Sequence, residues 1–279
     1  MIIDKVLNNN VVLSSNDAGE EIILMGRGLA FKKKVGDEID LSFVQKEFVL
    51  KDSFTGRQME QLFSDIPSDE IDTVKKIVDM VEADLNVELS NNIYITLTDH
   101  IHYAIVRSKE GIEMPNPLLL ETQKFYPKEF AVAQKALVLV EQDLGAILPE
   151  TEAGFIAFHI VNSHQGNDNM QTTMQMTEIV RDILSIISRY FGKTLDTQSL
   201  NYHRIVTHLQ YFAQRYLKDE LSDEQDEFLF ALVQSKYPKA YQTVERIDDY
   251  LIKAYGKSLG QSEKIYLTIH IERVVTDKK

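Results

Sequence analysis

The sequence predicts a multidomain protein in which a small antiparallel β-sheet domain, expected to be dimeric, precedes two homologous all-α helical-bundle domains. Three observations support this architecture. Short apolar segments separated by turn residues occupy the start of the chain, helical periodicity follows, and the helical part contains an internal repeat. A length of 279 residues also suits more than one domain, at roughly 150 residues each. We therefore predict a sheet domain at 1–55 and helical domains at 65–168 and 172–279.

The sheet domain is predicted from short strands joined by turn-forming residues. Asn8–Asn10 suits a hairpin turn because Asn tolerates positive φ, and Gly26–Gly28 supplies another turn. So small a domain buries little apolar surface, and dimerisation would compensate for this. The predicted strands are Ile2–Leu7, Val11–Ser14, Glu21–Met25, Leu29–Lys33 and Glu47–Leu50.

Helical periodicity begins near Ser68, which we predict to be an N-cap because Asp69 and Glu70 follow it in the first turn. A polar segment with a glycine, Gln165–Asn169, is predicted to link the two helical halves. The apolar side chains on one face of the first helix are Ile71, Val74, Ile77, Val78, Val81 and Leu85.

The two helical halves are copies of one another. A shift of 111 residues carries Tyr126–Phe130 onto Tyr237–Tyr241, and it carries His159 onto His270. A shift of 108 residues carries His100 onto His208. Of the seven histidines, these four are therefore paired by the repeat, which favours a shared role over an incidental one.

Composition excludes several classes of protein. A net charge of −13 argues against nucleic-acid binding over the whole surface. The absence of cysteine excludes disulfides and thiolate chemistry, and no apolar run is long enough to span a bilayer. Glycine-rich phosphate loops and the His-x₃-His and His-Glu-x-x-His spacings of zinc sites are also absent, so we expect no cofactor and no metal. We expect a cytoplasmic protein without a membrane partner.

His100 and its repeat partner His208 each share a helix face with a tyrosine and an arginine. His100 precedes Arg107 by seven residues, and His208 precedes Arg215 by the same distance. A neutral imidazole is a nucleophile, and a guanidinium beside it could hold a phosphate. The ordinary alternative is that each arginine is solvated or forms a salt bridge.

Two acidic residues occupy equivalent places before the other two histidines. Glu152 precedes His159 by seven residues, and Glu263 precedes His270 by seven. Both lie in the first turn of a predicted helix, where the helix dipole alone favours an acid. We therefore assign neither glutamate a functional role.

Two chemistries fit the paired histidines. One is reversible phosphorylation, which needs only an exposed neutral imidazole and a protein donor. The other is a metal-dependent phosphohydrolase that uses His100, Asp99 and His159, although Asp99 and His100 stand in the reverse order of the doublet found in such helical enzymes.

A basic patch distinguishes the sheet domain. Arg27 and Lys32–Lys34 lie in a segment without acidic residues, and Phe31 adjoins them. Such residues could contact phosphates and stack on an unpaired base of RNA. Composition alone favours the plainer interpretation, in which the charges are solvated and Phe31 is in the core.

These segments resemble the BglG/SacY family of bacterial transcriptional antiterminators. Asn8–Asn10, Met25–Phe31 and Lys33–Lys34 resemble its co-antiterminator RNA-binding domain. The repeated segments resemble the first and second regulation domains of the sugar phosphotransferase system (PTS), in the family's order. The segments that carry this second likeness are Thr96–His100, Glu152–Ile160, Thr207–Leu209 and Tyr266–Arg273.

The resemblance implies a homodimer that binds a hairpin in a leader mRNA and prevents a terminator hairpin from forming. The operon would encode proteins for sugar use, since the chain most resembles the family members that control the use of β-glucosides. RNA contacts would map to Lys5, Asn8, Asn10, Gly26, Arg27 and Phe31. The resemblance also implies inhibitory phosphorylation of His100 and His159 under a sugar-specific enzyme II. Activating phosphorylation of His208 and His270 would come from the carrier protein HPr. A PTS-regulated DNA-binding activator is the remaining alternative, and it would need an N-terminal helix-turn-helix.

Overall fold

The computed structural model describes residues 1–50, 53–165, 170–221 and 226–276. The chain divides into two compact units, Met1–Asp168 and Asn169–Lys279. Within the described residues, no helix is both long and apolar enough to cross a membrane. Residues 166–169 of the predicted linker lie outside the described residues.

A four-stranded antiparallel sheet forms the N-terminal domain, as predicted. Its strands are β1 (Ile3–Asn8), β2 (Val11–Ser15), β3 (Glu21–Met25) and β4 (Lys46–Val49), which pair in that order. Asn9 and Asn10 form the turn between β1 and β2.

The predicted strand Leu29–Lys33 is wrong, because this segment forms consecutive turns. The backbone N–H of Leu29 donates to the carbonyl of Gly26, and that of Phe31 donates to the carbonyl of Gly28. Gly28 and Lys32 adopt φ of +70° and +59°, values incompatible with an extended strand. The prediction failed because the apolar residues here fill the inside of a folded loop.

The two faces of the sheet are buried in different ways. One face forms a small core of its own, whose members include Ile3, Val12, Ile22, Leu24, Leu29, Ala30 and Ile39. The other face carries Leu7, Val11, Ile23, Met25 and Phe48, which join the core of the first helical domain. The ring of Phe48 meets Tyr94 of that domain edge-on at 5.6 Å. Part of the burial that the small sheet lacks is therefore supplied by its own chain, whereas the sequence predicts dimerisation as the compensation.

The helices of the first unit are α1 (Ser53–Asp65), α2 (Ser68–Leu85), α3 (Ile93–Lys109), α4 (Leu119–Phe125), α5 (Pro127–Leu144) and α6 (Glu150–Gln165). The apolar face predicted for α2 is buried from Ile71 to Val81. The N-cap prediction was wrong by one position, because Pro67 occupies that place and Ser68 is the first helical residue.

The helices of the second unit are α7 (Met170–Phe191), α8 (Leu200–Leu217), α9 (Glu227–Lys236), α10 (Pro238–Tyr255) and α11 (Gln261–Thr276). They repeat α2 to α6 in order, which confirms the duplication. Both α5 and α10 begin at a proline and are capped at the C-terminus by a glycine, Gly145 or Gly256, with φ of +65° or +79°.

Candidate functional sites

Each helical unit brings its two repeated histidines into ring contact. His100 on α3 lies beside His159 on α6, with ring centroids 5.0 Å apart. His208 on α8 lies beside His270 on α11, at 4.2 Å. The sequence paired these residues across the repeat, but it gave no signal that the two histidines of one copy would touch.

The first pair is the more deeply buried. The side chain of His100 is 13% exposed and His159 is 9% exposed. Burial, reinforced by the charge of His100, holds the pKa of His159 well below its usual value. His159 is therefore a neutral imidazole at physiological pH.

Glu152 joins the first pair to its arginine. Glu152 Oε2 lies 2.9 Å from His100 Nε2, and Glu152 Oε1 accepts a hydrogen bond of 2.9 Å from Arg107 Nη2. Burial raises the pKa of Glu152, but the hydrogen bonds from His100 and Arg107 outweigh it and leave that pKa lowered. Sequence alone assigns Glu152 no role, although its spacing before His159 is the available signal.

The second pair has a different surrounding. Arg215 Nη2 donates to Glu263 Oε1 at 2.9 Å, as in the first unit. The partner of His208, however, is the hydroxyl of Tyr266, which contacts Nδ1 of the His208 ring and lies 3.2 Å from its Nε2. Glu263 Oε2 is buried without a hydrogen-bond partner among the described residues. Burial raises the pKa of Glu263, and the charge of Arg215 offsets this only in part.

Both histidines of the second pair are neutral at pH 7. Burial and the charge of Arg204 lower the pKa of His208. Burial, followed by the charge of His208, lowers the pKa of His270 to about 4. His208, Tyr211 and Tyr266 line a cleft of about 670 Å³, so His208 adjoins open space.

The arginines predicted to support a phosphate are already paired with carboxylates. Arg107 is held by Glu152 and its side chain is 19% exposed. Arg215 is held by Glu263 and its side chain is 44% exposed, which leaves more of its guanidinium open to a second anion. The ordinary alternative of a salt bridge is thus correct for both, and it does not conflict with a contact to phosphate.

The metal-dependent alternative gains no support. Asp99 lines a cleft with His102 and Tyr103 and so faces away from the first histidine pair. Throughout the described part of the chain, no group of three or more histidine and acidic side chains is placed to hold a metal ion. His102 is bound by Glu70, whose Oε2 lies 2.8 Å from His102 Nδ1.

Three of the six residues predicted to contact RNA are engaged by the first helical unit. Lys5 forms an ion pair with Glu60. Asn8 Nδ2 donates to the carbonyl of Phe63 at 2.7 Å, and Asn10 Nδ2 donates to Asp72 Oδ1 at 2.8 Å.

Asn10 also holds the neighbouring turn, because its Oδ1 accepts a hydrogen bond from the backbone N–H of Gly28. Packing alone requires a glycine at position 26, because a Cβ there would lie 1.8 Å from the carbonyl oxygen of Phe43. Arg27 and Phe31 are exposed, and Phe31 is 60% exposed. The expectation from composition that Phe31 is in the core is therefore wrong.

Comparison with known proteins identifies the domains. The CAT RNA binding domain matches residues 1–55, and the PRD domain matches residues 75–163 and 181–274. The chain belongs to the BglG/LicT family of transcription antiterminators. It is 42% identical to the transcription antiterminator LicT of Bacillus subtilis over 275 residues, which cover 99% of each chain. It is 39% identical to the β-glucoside operon antiterminator of Dickeya chrysanthemi, over 98% of this chain and 96% of the relative.

A solved structure shows the same arrangement for the first part of the chain. The crystal structure of GlcT CAT-PRDI matches with a TM-score of 0.52 and 36% identity, and it covers 58% of this chain and 97% of that one. Membership of the BglG/LicT family makes the chain an RNA-binding antiterminator and not an enzyme. The DNA-binding alternative fails because β1 to β4 form a sheet where a helix-turn-helix would be needed, and the CAT RNA binding domain matches residues 1–55.

Proposed function

We propose that this antiterminator binds a hairpin in a leader mRNA in the cytoplasm, prevents the overlapping terminator from forming, and so permits transcription of genes for β-glucoside use. The observation that carries the proposal is the exposed pair Arg27 and Phe31 on the turn after β3, in a domain that the CAT RNA binding family matches from end to end. A cation and an aromatic ring on a tight loop suit the phosphates and unpaired bases of an RNA hairpin.

The structure holds Lys5, Asn8 and Asn10 in contacts that RNA would have to replace. Burial raises the pKa of Asp72, and the charge of Arg27 and the hydrogen bond from Asn10 offset this only in part. An RNA phosphate offers the same kind of acceptor as these carboxylates. RNA binding therefore competes with the packing of β1 against α1 and α2.

Phosphorylation of the two histidine pairs regulates this competition. His100 and His159 take inhibitory phosphates under a sugar-specific enzyme II, and His208 and His270 take activating phosphates from HPr. Neutral imidazoles, the chemical state required for transfer, support this role. Each phosphate adds up to about two negative charges beside a second ring, which is enough to reorganise the helix contacts.

The active protein is a homodimer. Exposed apolar side chains are frequent on the small sheet domain, as expected for a surface that pairs with a second copy. They include Ile2, Val35, Leu41, Phe43 and Val49.

A gel shift of the full chain against the leader transcript of its own operon tests RNA binding. We expect Phe31→Ala to weaken binding at least tenfold, because base stacking on an aromatic side chain contributes about 1–3 kcal/mol. Phe228→Ala is the matched control, since Phe228 is an exposed phenylalanine outside the sheet domain. Equal affinity of the wild-type chain for the leader and for an unrelated hairpin would refute the proposal.

Replacement of His208 and His270 by Asp tests the activating phosphates, because a carboxylate supplies part of their charge. We expect tighter leader binding and more transcriptional readthrough than in the wild-type chain. The equivalent replacement of His100 and His159 should reduce both. Unchanged binding and readthrough in all these variants would exclude the phosphate switch and leave RNA binding intact.

A further inference from the structure

We propose that His100 accepts its phosphate on Nδ1, and that Glu152 is the positioning residue that selects this atom by occupying Nε2. This inference rests on the proposed phosphorylation of His100. It concerns which of two chemically distinct phosphohistidines the first helical unit forms.

The two ring nitrogens of His100 have different surroundings. Nε2 is fully buried and lies 2.9 Å from Glu152 Oε2. The side chain of His100 is 13% exposed, and Nδ1 is not one of the fully buried atoms that lack a hydrogen-bond partner, so Nδ1 retains part of this exposure. Among the described residues, no polar group is hydrogen-bonded to Nδ1. A donor protein can therefore approach Nδ1, whereas Nε2 is closed to it.

The protonation of the ring leads to the same atom. A neutral imidazole carries one N–H and one lone pair, and only the nitrogen with the lone pair is a nucleophile. The proton resides where an acceptor lies, and Glu152 is an acceptor that Arg107 keeps ionised through a second hydrogen bond. The lone pair consequently lies on Nδ1.

The transfer is a simple displacement. The Nδ1 lone pair of His100 forms a bond to phosphorus, and the bond from phosphorus to the donor's leaving atom breaks. That electron pair stays on the leaving atom of the donor. The proton on Nε2 remains between the ring and Glu152, whose negative charge offsets the positive charge that develops on the ring.

The second helical unit lacks this selection. A shift of 111 residues places Tyr266 where the first unit has Phe155, so a hydroxyl contacts His208 where a plain ring lies beside His100. A hydroxyl both donates and accepts, so it does not fix the position of the proton as a carboxylate does. Glu263 contacts Arg215 and leaves His208 to Tyr266.

Nitrogen-15 NMR of the unphosphorylated full chain, with labelled histidine, tests the first step. We expect His100 to be protonated on Nε2 at pH 7.5. A spectrum with the proton on Nδ1 would overturn the proposal without any phosphoryl donor being needed.

Phosphorylation of the same labelled chain tests the second step. The probes are phosphorylated HPr, the phosphorylated enzyme II and, as a small donor, potassium phosphoramidate, whose transfer releases ammonia. Coupling of phosphorus to the ring nitrogens then identifies the modified atom. Phosphate on Nδ1 of His100 is expected, and phosphate on Nε2 would overturn the assignment while leaving regulation by His100 intact. Absence of phosphate from His100 with every donor would overturn both the assignment to Nδ1 and the regulation by His100. Leader binding would then show whether the RNA-binding function still stands.

The role of Glu152 is tested with Glu152→Gln. We expect a mixture of the two phosphohistidines at His100, formed about tenfold more slowly because the ring is no longer oriented. Glu150→Gln is the matched control, since it removes the same charge from an exposed site in the same helical turn. Glu152→Asp, which keeps a carboxylate, should restore most of the preference for Nδ1. Exclusive Nδ1 modification at the wild-type rate in Glu152→Gln would refute the positioning role.

Discussion

The two histidine pairs occupy the same place in duplicated helical units, yet they differ in burial and in their polar partners. His100 and His159 lie in a closed site in which Glu152 bridges a histidine and an arginine. In the second pair, His208 lines an open cleft, and a tyrosine replaces the glutamate as its partner. Duplication has thus preserved the backbone positions while the side chains around the rings have diverged.

This difference separates the two kinds of regulation that the proposed function requires. A closed site with an ionised carboxylate controls the orientation and the proton of its histidine. An open site whose histidines remain neutral gives a donor easier access. The helices alone do not decide which behaviour a unit has, because α6 and α11 have equal lengths and equivalent bounds.

The largest expected difference between the units is in stability. Glu152→Ala should destabilise the first unit by about 3 kcal/mol, because it leaves Arg107 buried without its partner. Glu263→Ala should cost the second unit about 1 kcal/mol or less, because the side chain of Arg215 is 44% exposed and remains solvated without its partner. Hydrogen exchange in peptides from α6 and α11 measures the free energy of opening for each unit.

Glu150→Ala serves as the control for this comparison, since it removes an exposed acid from the first turn of α6. It should change the opening free energy of α6 by less than about 0.5 kcal/mol. If Glu263→Ala destabilised its unit as much as Glu152→Ala does, the two glutamates would be equivalent and the structural contrast would lose its meaning.

Periodicity and the repeat were sufficient to predict the sheet, the two helical units and the equivalence of the four histidines across the repeat. These features depend on local patterns, because apolar spacing determines which face of a helix or strand is buried. The repeat also located Glu152 and Glu263, but the sequence could not separate a helix-dipole effect from a contact with a ring on another helix. That contact depends on how α3 packs against α6, which no local pattern encodes.

The errors in the N-terminal domain have the same origin. Leu29–Lys33 has the composition of a strand, yet Gly26 and Gly28 on its N-terminal side turn the chain, and Leu29 and Ala30 enter the small core from a loop. Phe31 is left outside because its neighbours fill the interior. The pattern of apolar and polar positions in the sequence shows that such residues are apolar, but it does not show which of them the folded loop exposes.

Acidification should destabilise the second unit through His270. The unfolded chain takes up a proton on each histidine near pH 6.5, whereas folded His270 does so near pH 4. The unfolded state therefore binds more protons between these values, so stability is complete above about pH 6.5 and falls as the pH drops toward 4.

The effect of pH should be smaller than that of Glu152→Ala, because His270 is partly exposed and solvent screens its charge. Hydrogen exchange of α11 at pH values from 7.5 to 5, corrected for the intrinsic exchange rate, measures it. His270→Gln should flatten the dependence, and an equally steep dependence in that variant would assign the titration to another group.

The smallest expected effect on stability comes from Tyr266→Phe, which makes the second unit resemble the first at this position. Loss of a partly exposed hydrogen bond should cost about 0.5 kcal/mol. The informative measurement is the nitrogen-15 spectrum of His208, which should change because the hydroxyl that contacts its ring is gone. Phe155→Tyr should leave His100 protonated on Nε2, because Glu152 still occupies that nitrogen. If Tyr266→Phe left the ring of His208 unchanged, or Phe155→Tyr moved the proton of His100, the carboxylate and the hydroxyl would not be the groups that distinguish the two units.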